Sequence, residues 1–179
     1  MEETNTKIVR PADPAGRVLF EISRVLAIAS GILLSCTAAL VTVSVFGRKF
    51  LDLPVPGDFE LVAIATGLCI FGILPYCQMT RSNVLVDFFM AKAPTRAKAV
   101  CDLFGNILFL VISALLTWRL IYGGIDMYNN NELSMTINFP RWTTFPASVL
   151  LMAFLTLVVL YTVWRSFEEI RQGRFLDPQ

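Results

Sequence analysis

The chain has 179 residues, of which 55% are hydrophobic, and its mean hydropathy of +0.63 lies well above that of a soluble domain. Its formal net charge of +1 conceals a segregation, because the charged residues cluster between long apolar runs. This pattern excludes a nucleic-acid-binding protein, which needs a basic face. The absence of histidine excludes bis-histidine haem and most zinc sites.

The apolar runs predict an all-α integral membrane protein with four transmembrane helices and a short cytoplasmic interfacial helix between the second and the third. Residues 1–16 are polar, contain two prolines and predict a disordered cytoplasmic tail. The four-helix membrane domain is expected over residues 17–165, and a charged cytoplasmic tail over 166–179. The crossings are expected at about 25–47, 61–80, 100–125 and 142–164.

The first crossing follows residues 17–24, whose apolar positions at helical spacing predict a helix that starts in the membrane interface. Arg48 and Lys49 end its uncharged run. The second crossing follows a turn at residues 54–57. There Asp58 is predicted as the helix N-cap, with Glu60 in the first turn, where a carboxylate is favoured.

Small residues and a proline mark the second crossing. Gly67 and Gly72 allow close approach of another helix, and Pro75 predicts a kink or a loosened last turn. Packing within the bundle and contact with a partner are equally good interpretations of these residues.

Residues 81–94 are too short to cross the membrane again. Arg81 and Asp87 bracket this piece with opposite charges, and residues 88–93 predict the interfacial helix, which Pro94 ends. We hypothesise that the two charges hold this helix against the membrane surface.

Arg119 interrupts the third crossing, and an intramembrane arginine is a functional candidate. It lies roughly 28 Å above the start of the run at 1.5 Å per residue, so its guanidinium can reach the headgroups. Trp118 and Tyr122 beside it are typical of an aromatic belt. We therefore favour anchoring over a functional role for Arg119.

Lysine and arginine predict the orientation. Eleven of the 15 lie in or near the two tails and the middle loop, while four lie in or near the loops around residues 48–60 and 126–141. The positive-inside rule therefore places the N- and C-termini in the cytoplasm.

The predicted helix centres contain no paired charges. Their polar residues are small, and we expect the hydroxyl groups to bond to backbone or to a neighbouring helix; they include Ser35, Thr37, Thr66, Ser113 and Thr156. The four cysteines show no C-x-x-C spacing and are interpreted as packing residues: Cys36, Cys69, Cys77 and Cys101. The pattern indicates a non-catalytic chain that packs against a larger membrane partner.

Three segments together resemble a known family. Residues 45–50 (VFGRKF), followed by 54–56 (PVP) and by Glu60 and Leu61 at the start of a helix, resemble the small membrane subunit of tripartite ATP-independent periplasmic (TRAP) transporters. Residues 134–142 (SMTINFPRW) are similar to the family's segment before the last helix.

The family's cytoplasmic signature has an arginine, usually a histidine, then an apolar residue, Val-Asp and a later proline. Its matches here are Arg81, Val84, Val86, Asp87 and Pro94, with Asn83 where histidine is common. Glu60 matches the second acid of the family's Trp-x-Glu-Glu, but Gly57 replaces the tryptophan and Phe59 the first acid. This departure leaves the role of the acid pair open.

The resemblance implies a subunit of the bacterial inner membrane with no catalytic activity. It implies bracing of a large elevator-type permease subunit, which binds the solute and sodium ions, and cooperation with a periplasmic solute-binding protein. The solute is expected to be an organic acid. This chain is expected to bind no cofactor and to be surrounded by membrane lipids. Candidate structural or partner-interface residues are Arg48, Pro56, Glu60, Arg81, Asp87, Pro140 and Trp142.

Two other classes remain as alternatives. A four-helix multidrug exporter needs an intramembrane carboxylate, and the first crossing contains none. A membrane anchor subunit of a redox enzyme needs haem or quinone ligands, and histidine is absent.

Overall fold

The computed structural model describes residues 13–50, 57–80, 95–134 and 139–172. These residues form four long helices and no strand. The helices are α1 (Pro14–Phe50), α2 (Asp58–Met79), α3 (Thr95–Asn129) and α4 (Thr144–Gln172), and a short 3₁₀ helix (Arg141–Thr143) leads into α4.

Each long helix contains a stretch long and apolar enough to cross a membrane. The prediction of an all-α protein with four such helices is therefore confirmed. The predicted interfacial helix at residues 88–93 lies outside the described residues. The division into tails and a membrane domain stays a prediction.

Helix α1 runs unbroken for 37 residues. Pro14 suits its first position, where the N–H that proline lacks is not needed. The backbone N–H of Arg17 donates to the carbonyl of Asp13 at 3.0 Å and closes the first turn. Arg48 and Lys49 lie in the last turn, where basic side chains interact favourably with the helix dipole.

Helix α1 buries a narrow face on which small residues recur every seven positions. Such a period gives a seam along which two helices can pack with a slight left-handed twist. At its middle, Cys69 of α2 donates its thiol to the carbonyl of Ser30 at 3.2 Å, and Gly72 lies directly against the Ser30 side chain. The repeated positions are Gly16, Ser23, Ser30, Thr37 and Ser44.

The start of α2 differs from the sequence prediction. Gly57, not Asp58, is the N-cap, with φ at 76°, a left-handed conformation that glycine adopts without strain. Asp58 is the first helical residue, and one carboxylate oxygen accepts the N–H of Phe59 at 2.9 Å. The expectation that Asp58 is the N-cap is wrong because the left-handed glycine shifts the helix start by one residue.

The four helices form an open layer in the order α1, α2, α4, α3. Helix α1 packs on α2, α2 on α4, and α4 on α3. In a closed four-helix bundle α1 would also pack along α3, but the described parts of these two helices form no extensive contact. The inner helix α4 is the most buried of the four, and the edge helix α3 is the least buried.

The apolar core lies along α4. Met152, Leu155 and Val159 are almost inaccessible to solvent and pack against side chains of α2 and α3. A second cluster joins Phe20 of α1 and Met79 of α2 to Val158 of α4. Burial of such side chains contributes roughly 1.5–3 kcal/mol each in water, while in lipid the gain comes mainly from close packing.

Candidate functional site

Polar side chains meet at both ends of the layer. We call the end at which α1 and α3 end and α2 and α4 begin the loop end, and the opposite end the terminal end. The four candidate residues that the structure describes lie at the loop end, whereas the polar network described at the terminal end was not predicted.

Asp58 ties α1 to α2 at the loop end. Ser44, which is fully buried on α1, donates its hydroxyl to a carboxylate oxygen of Asp58 at 2.5 Å. The same oxygen accepts a hydrogen bond from the guanidinium of Arg48 at 3.2 Å. That guanidinium also lies over the ring of Phe59, 5.7 Å from its centroid. Arg48 is therefore structural at this point, although half of its side chain stays exposed.

Glu60 ties α2 to the segment between α3 and α4. Its carboxylate accepts the hydroxyl of Ser134. Around Ser134 the backbone doubles back, since its N–H donates to the carbonyl of Phe139 at 2.8 Å and the N–H of Arg141 donates to Glu132 at 3.1 Å. Residues 132–134 and 139–141 thus form the base of a hairpin that Glu60 fixes to the layer.

The other two described candidates stabilise the start of α4. Pro140 pairs with Leu133 in an isolated antiparallel bridge, and its carbonyl accepts the hydroxyl of Thr143 at 2.7 Å. The Trp142 ring meets Tyr128 of α3 edge to face, with 5.4 Å between centroids. Pro56, Arg81 and Asp87 lie outside the described residues, so their assignments stay predictions.

An amide network joins three helices at the terminal end. The side-chain amide of Gln78 on α2 donates to Asn106 of α3 at 2.8 Å and to Thr162 of α4 at 3.0 Å. The amide of Asn106 then donates to Ser166 at 3.1 Å. Gln78, Thr162 and Ser166 are buried, so the network is shielded from competing water.

The signal for this network was present in the sequence. Gln78 and Asn106 are amide residues inside apolar helices, and Thr162 and Ser166 are four positions apart, which places them on one helix face. Their mutual contact depends on how the helices rotate about their axes, and a single sequence does not give that rotation.

At the helix centres, most of the singled-out hydroxyl groups bond to backbone, as the sequence predicts. Four of the five singled-out hydroxyl groups donate to a carbonyl in their own helix, at distances of 2.8–3.1 Å, namely those of Ser35, Thr37, Ser113 and Thr156. The hydroxyl of Thr156 also lies 3.2 Å from that of Thr117, which links α4 to α3.

The described helix centres bring together no constellation typical of catalysis. No Asp or Glu whose side chain the structure describes falls within a predicted crossing. Among the described residues, no three His, Cys, Asp or Glu side chains form a group that could hold a metal ion. Arg119 is exposed on α3 beside Trp118 and Tyr122, whose rings meet edge to face at 5.8 Å. Its anchoring role stays a prediction.

The family comparison matches residues 37–169 to the model described as "Tripartite ATP-independent periplasmic transporters, DctQ component". Neither curated proteins nor solved structures give a significant match. The matched range covers more than half of the 179 residues and includes the loop-end cluster, the hairpin base and the terminal-end network. The resemblance seen in the sequence is confirmed, and the chain belongs to the DctQ family, the small permease components of TRAP transporters.

Proposed function

We propose that this chain is a static frame that braces the large permease subunit of its transporter in the membrane. Membership of the family implies association with a large permease subunit and a solute-binding protein. The observation that carries the proposal is the open layer, because a layer offers broad apolar faces that a closed bundle would bury against itself.

The two edge helices carry most of this free surface. Large apolar side chains of α1 and α3 are exposed on nearly every turn, for instance Val25, Ile32 and Val43 on α1. Lipid and a membrane partner are both suited to such faces. Polar ties at both ends of the layer hold these faces in place.

These ties give the frame its stiffness. Asp58 fixes α1 to α2, Glu60 fixes α2 to the hairpin base, and Gln78 fixes α2 to α3 and α4. A domain that carries solute across the membrane needs an immobile support, and a layer tied at both ends supplies one.

The expected transport reaction is the one that the family resemblance implies. Uptake is driven by sodium ions bound in the large subunit, requires the periplasmic binding protein and moves an organic, carboxylate-bearing solute. This chain contributes no ligand to the sodium or solute sites and binds no cofactor. In support, the described carboxylates all lie outside the predicted crossings, whereas sodium sites need several converging oxygen ligands.

The test is uptake in liposomes that contain the large subunit with and without this chain. Without the chain, sodium-driven uptake should fall to background even though the large subunit is inserted. With the variants Asp58→Asn and Glu60→Gln, the sodium half-saturation and cooperativity should stay unchanged, while the amount of assembled complex decreases. Lys49→Gln, at an exposed position in the last turn of α1, serves as the control for general surface changes.

Two results would overturn the proposal. One is sodium-driven uptake by the purified chain alone, which would place the transport site in this chain. The other is a several-fold shift of the sodium curve in either carboxylate variant, which would make that carboxylate part of the ion site.

A further inference from the structure

A cleft of about 550 Å³ opens between α2 and α4 at the loop end. The two helices are in close contact lower in the layer, where Phe71 and Leu74 pack against the α4 core. Toward the loop end they separate, and the hairpin base lies across the gap. The volume falls in the range of pockets that hold an organic ligand.

The polarity of the cleft changes with depth. Its deeper walls are apolar and include Leu61, Ile64 and Leu68 of α2 and Ala147 of α4. From Glu60 to Leu68 the helix rises about 12 Å at 1.5 Å per residue. One leaflet of the hydrocarbon core is about 15 Å thick, so the cleft spans most of the leaflet nearest the loop end.

Charged and hydroxyl groups are confined to the rim. Arg141, Glu60 and Ser134 border the cleft, and Arg141 lies 3.9 Å from the carboxylate of Glu132. This is a loose ion pair, and 55% of the Arg141 side chain is exposed. A guanidinium has five N–H donors and binds phosphate in a two-pronged geometry.

We propose that this cleft holds one acyl chain of a phospholipid whose zwitterionic headgroup, an ethanolamine phosphate, binds at the rim. The phosphate meets Arg141, and the ammonium lies toward the carboxylate of Glu132 beside it. A phospholipid with a glycerol headgroup, whose only charge is the anionic phosphate, fits less well, because it has no cation to pair with Glu132 once the phosphate has bound Arg141.

The proposal does not depend on the bracing role. A chain that carried out transport itself would have the same cleft, and a bracing chain without bound lipid would still support uptake. Lipid labelling therefore tests this proposal separately from the uptake measurements.

The experiment uses the chain with its large subunit in nanodiscs that contain phosphatidylethanolamine and phosphatidylglycerol. A small fraction of phosphatidylethanolamine carries a photoreactive group near the glycerol end of one acyl chain. After illumination and digestion, mass spectrometry measures labelling of peptides that contain residues 57–68 and 139–147, relative to α3 peptides.

Cleft peptides should label more strongly than the α3 surface. Ala147→Phe, which fills the cleft from α4, should lower this labelling about ten-fold. Ala153→Phe is the matched control, since Ala153 is exposed on the same helix outside the cleft, and it should leave labelling unchanged. Arg141→Gln should weaken labelling by the phospholipid but not by a photoreactive diacylglycerol, which has no phosphate.

Three outcomes would overturn the proposal. Cleft labelling equal to that of the α3 surface would mean that no lipid is held. Equal labelling by phosphatidylglycerol and phosphatidylethanolamine probes would remove the headgroup assignment. Cross-links from the cleft peptides to the large subunit, in place of lipid, would make the cleft part of the protein interface.

Discussion

The side chain of Gln78 connects three helices through two hydrogen bonds from one amide nitrogen. In water, these donor and acceptor groups could bond to solvent instead. The apolar side chains around the terminal-end network offer no such alternative. Loss of the Gln78 donor removes a buried hydrogen bond to Thr162 and a partly buried one to Asn106, and the loss of one partner of a buried hydrogen bond is costly.

At the residue scale we therefore predict that Gln78→Leu destabilises the chain by about 1–2 kcal/mol, the upper range for polar contacts between membrane helices. The measurement is the free energy of unfolding of the purified chain in detergent. Thr42→Val is the control, because the exposed Thr42 hydroxyl donates only to a carbonyl in its own helix among the described contacts. Equal stabilities of the two variants would show that the amide network contributes nothing.

The sequence shows that Arg48 and Glu60 are charges at helix ends, and the structure places both in contact with another element there. Their assignment as structural or partner-interface residues stays a prediction. Ser44 was missed because a serine in an apolar helix is ordinary, and only the pairing of α1 with α2 places it against Asp58.

At the element scale, the seam between α1 and α2 depends on the absence of side-chain volume. A Cβ atom added at Gly72 would meet the Ser30 hydroxyl well inside van der Waals distance, with the carbonyl of Leu26 also nearby at 3.7 Å. A Cβ atom added at Gly67 meets nothing within 4 Å. The two glycines lie on one helix but face different surroundings.

We predict that Gly72→Leu separates α1 from α2 and costs about 1–3 kcal/mol, as overpacking typically does. Gly67→Leu is the matched control and should leave the unfolding free energy of the isolated chain nearly unchanged. For the milder Gly72→Ala, the added replacement Ser30→Ala should restore stability, because it removes the clashing oxygen. Thermal unfolding of the four variants checks all three expectations, and equal losses at Gly67 and Gly72 would contradict the seam.

The four helices were predictable because uncharged runs of about 20 residues have one stable form in a bilayer. The seven-residue spacing of small residues on α1 is present in the sequence but was not predicted to be a packing seam. The order of the layer was not, since apolar helices show little preference for one neighbour over another until side-chain volumes and polar contacts are matched in three dimensions.

At the scale of the whole molecule, four apolar helices and family membership together indicate a multi-pass protein of the inner membrane. The contacts place the starts of α2 and α4 at the same end of the layer as the last turns of α1 and α3. Antiparallel packing fixes which ends lie together, but it does not fix which end faces the cytoplasm. That choice depends on the lysine and arginine asymmetry.

We predict that the loop end faces the periplasm. The test introduces Asn130→Cys or Leu176→Cys into a chain whose four native cysteines have been replaced; serine suits Cys69, which donates to a backbone carbonyl. Asn130 is exposed just after α3, so its cysteine should react with an impermeant reagent in intact spheroplasts. The cysteine at position 176 should react only after permeabilisation, and the parent without cysteines should not react at all. Reaction of both cysteines in intact spheroplasts would rule out four crossings, whereas the reverse pattern would keep the crossings and invert the chain.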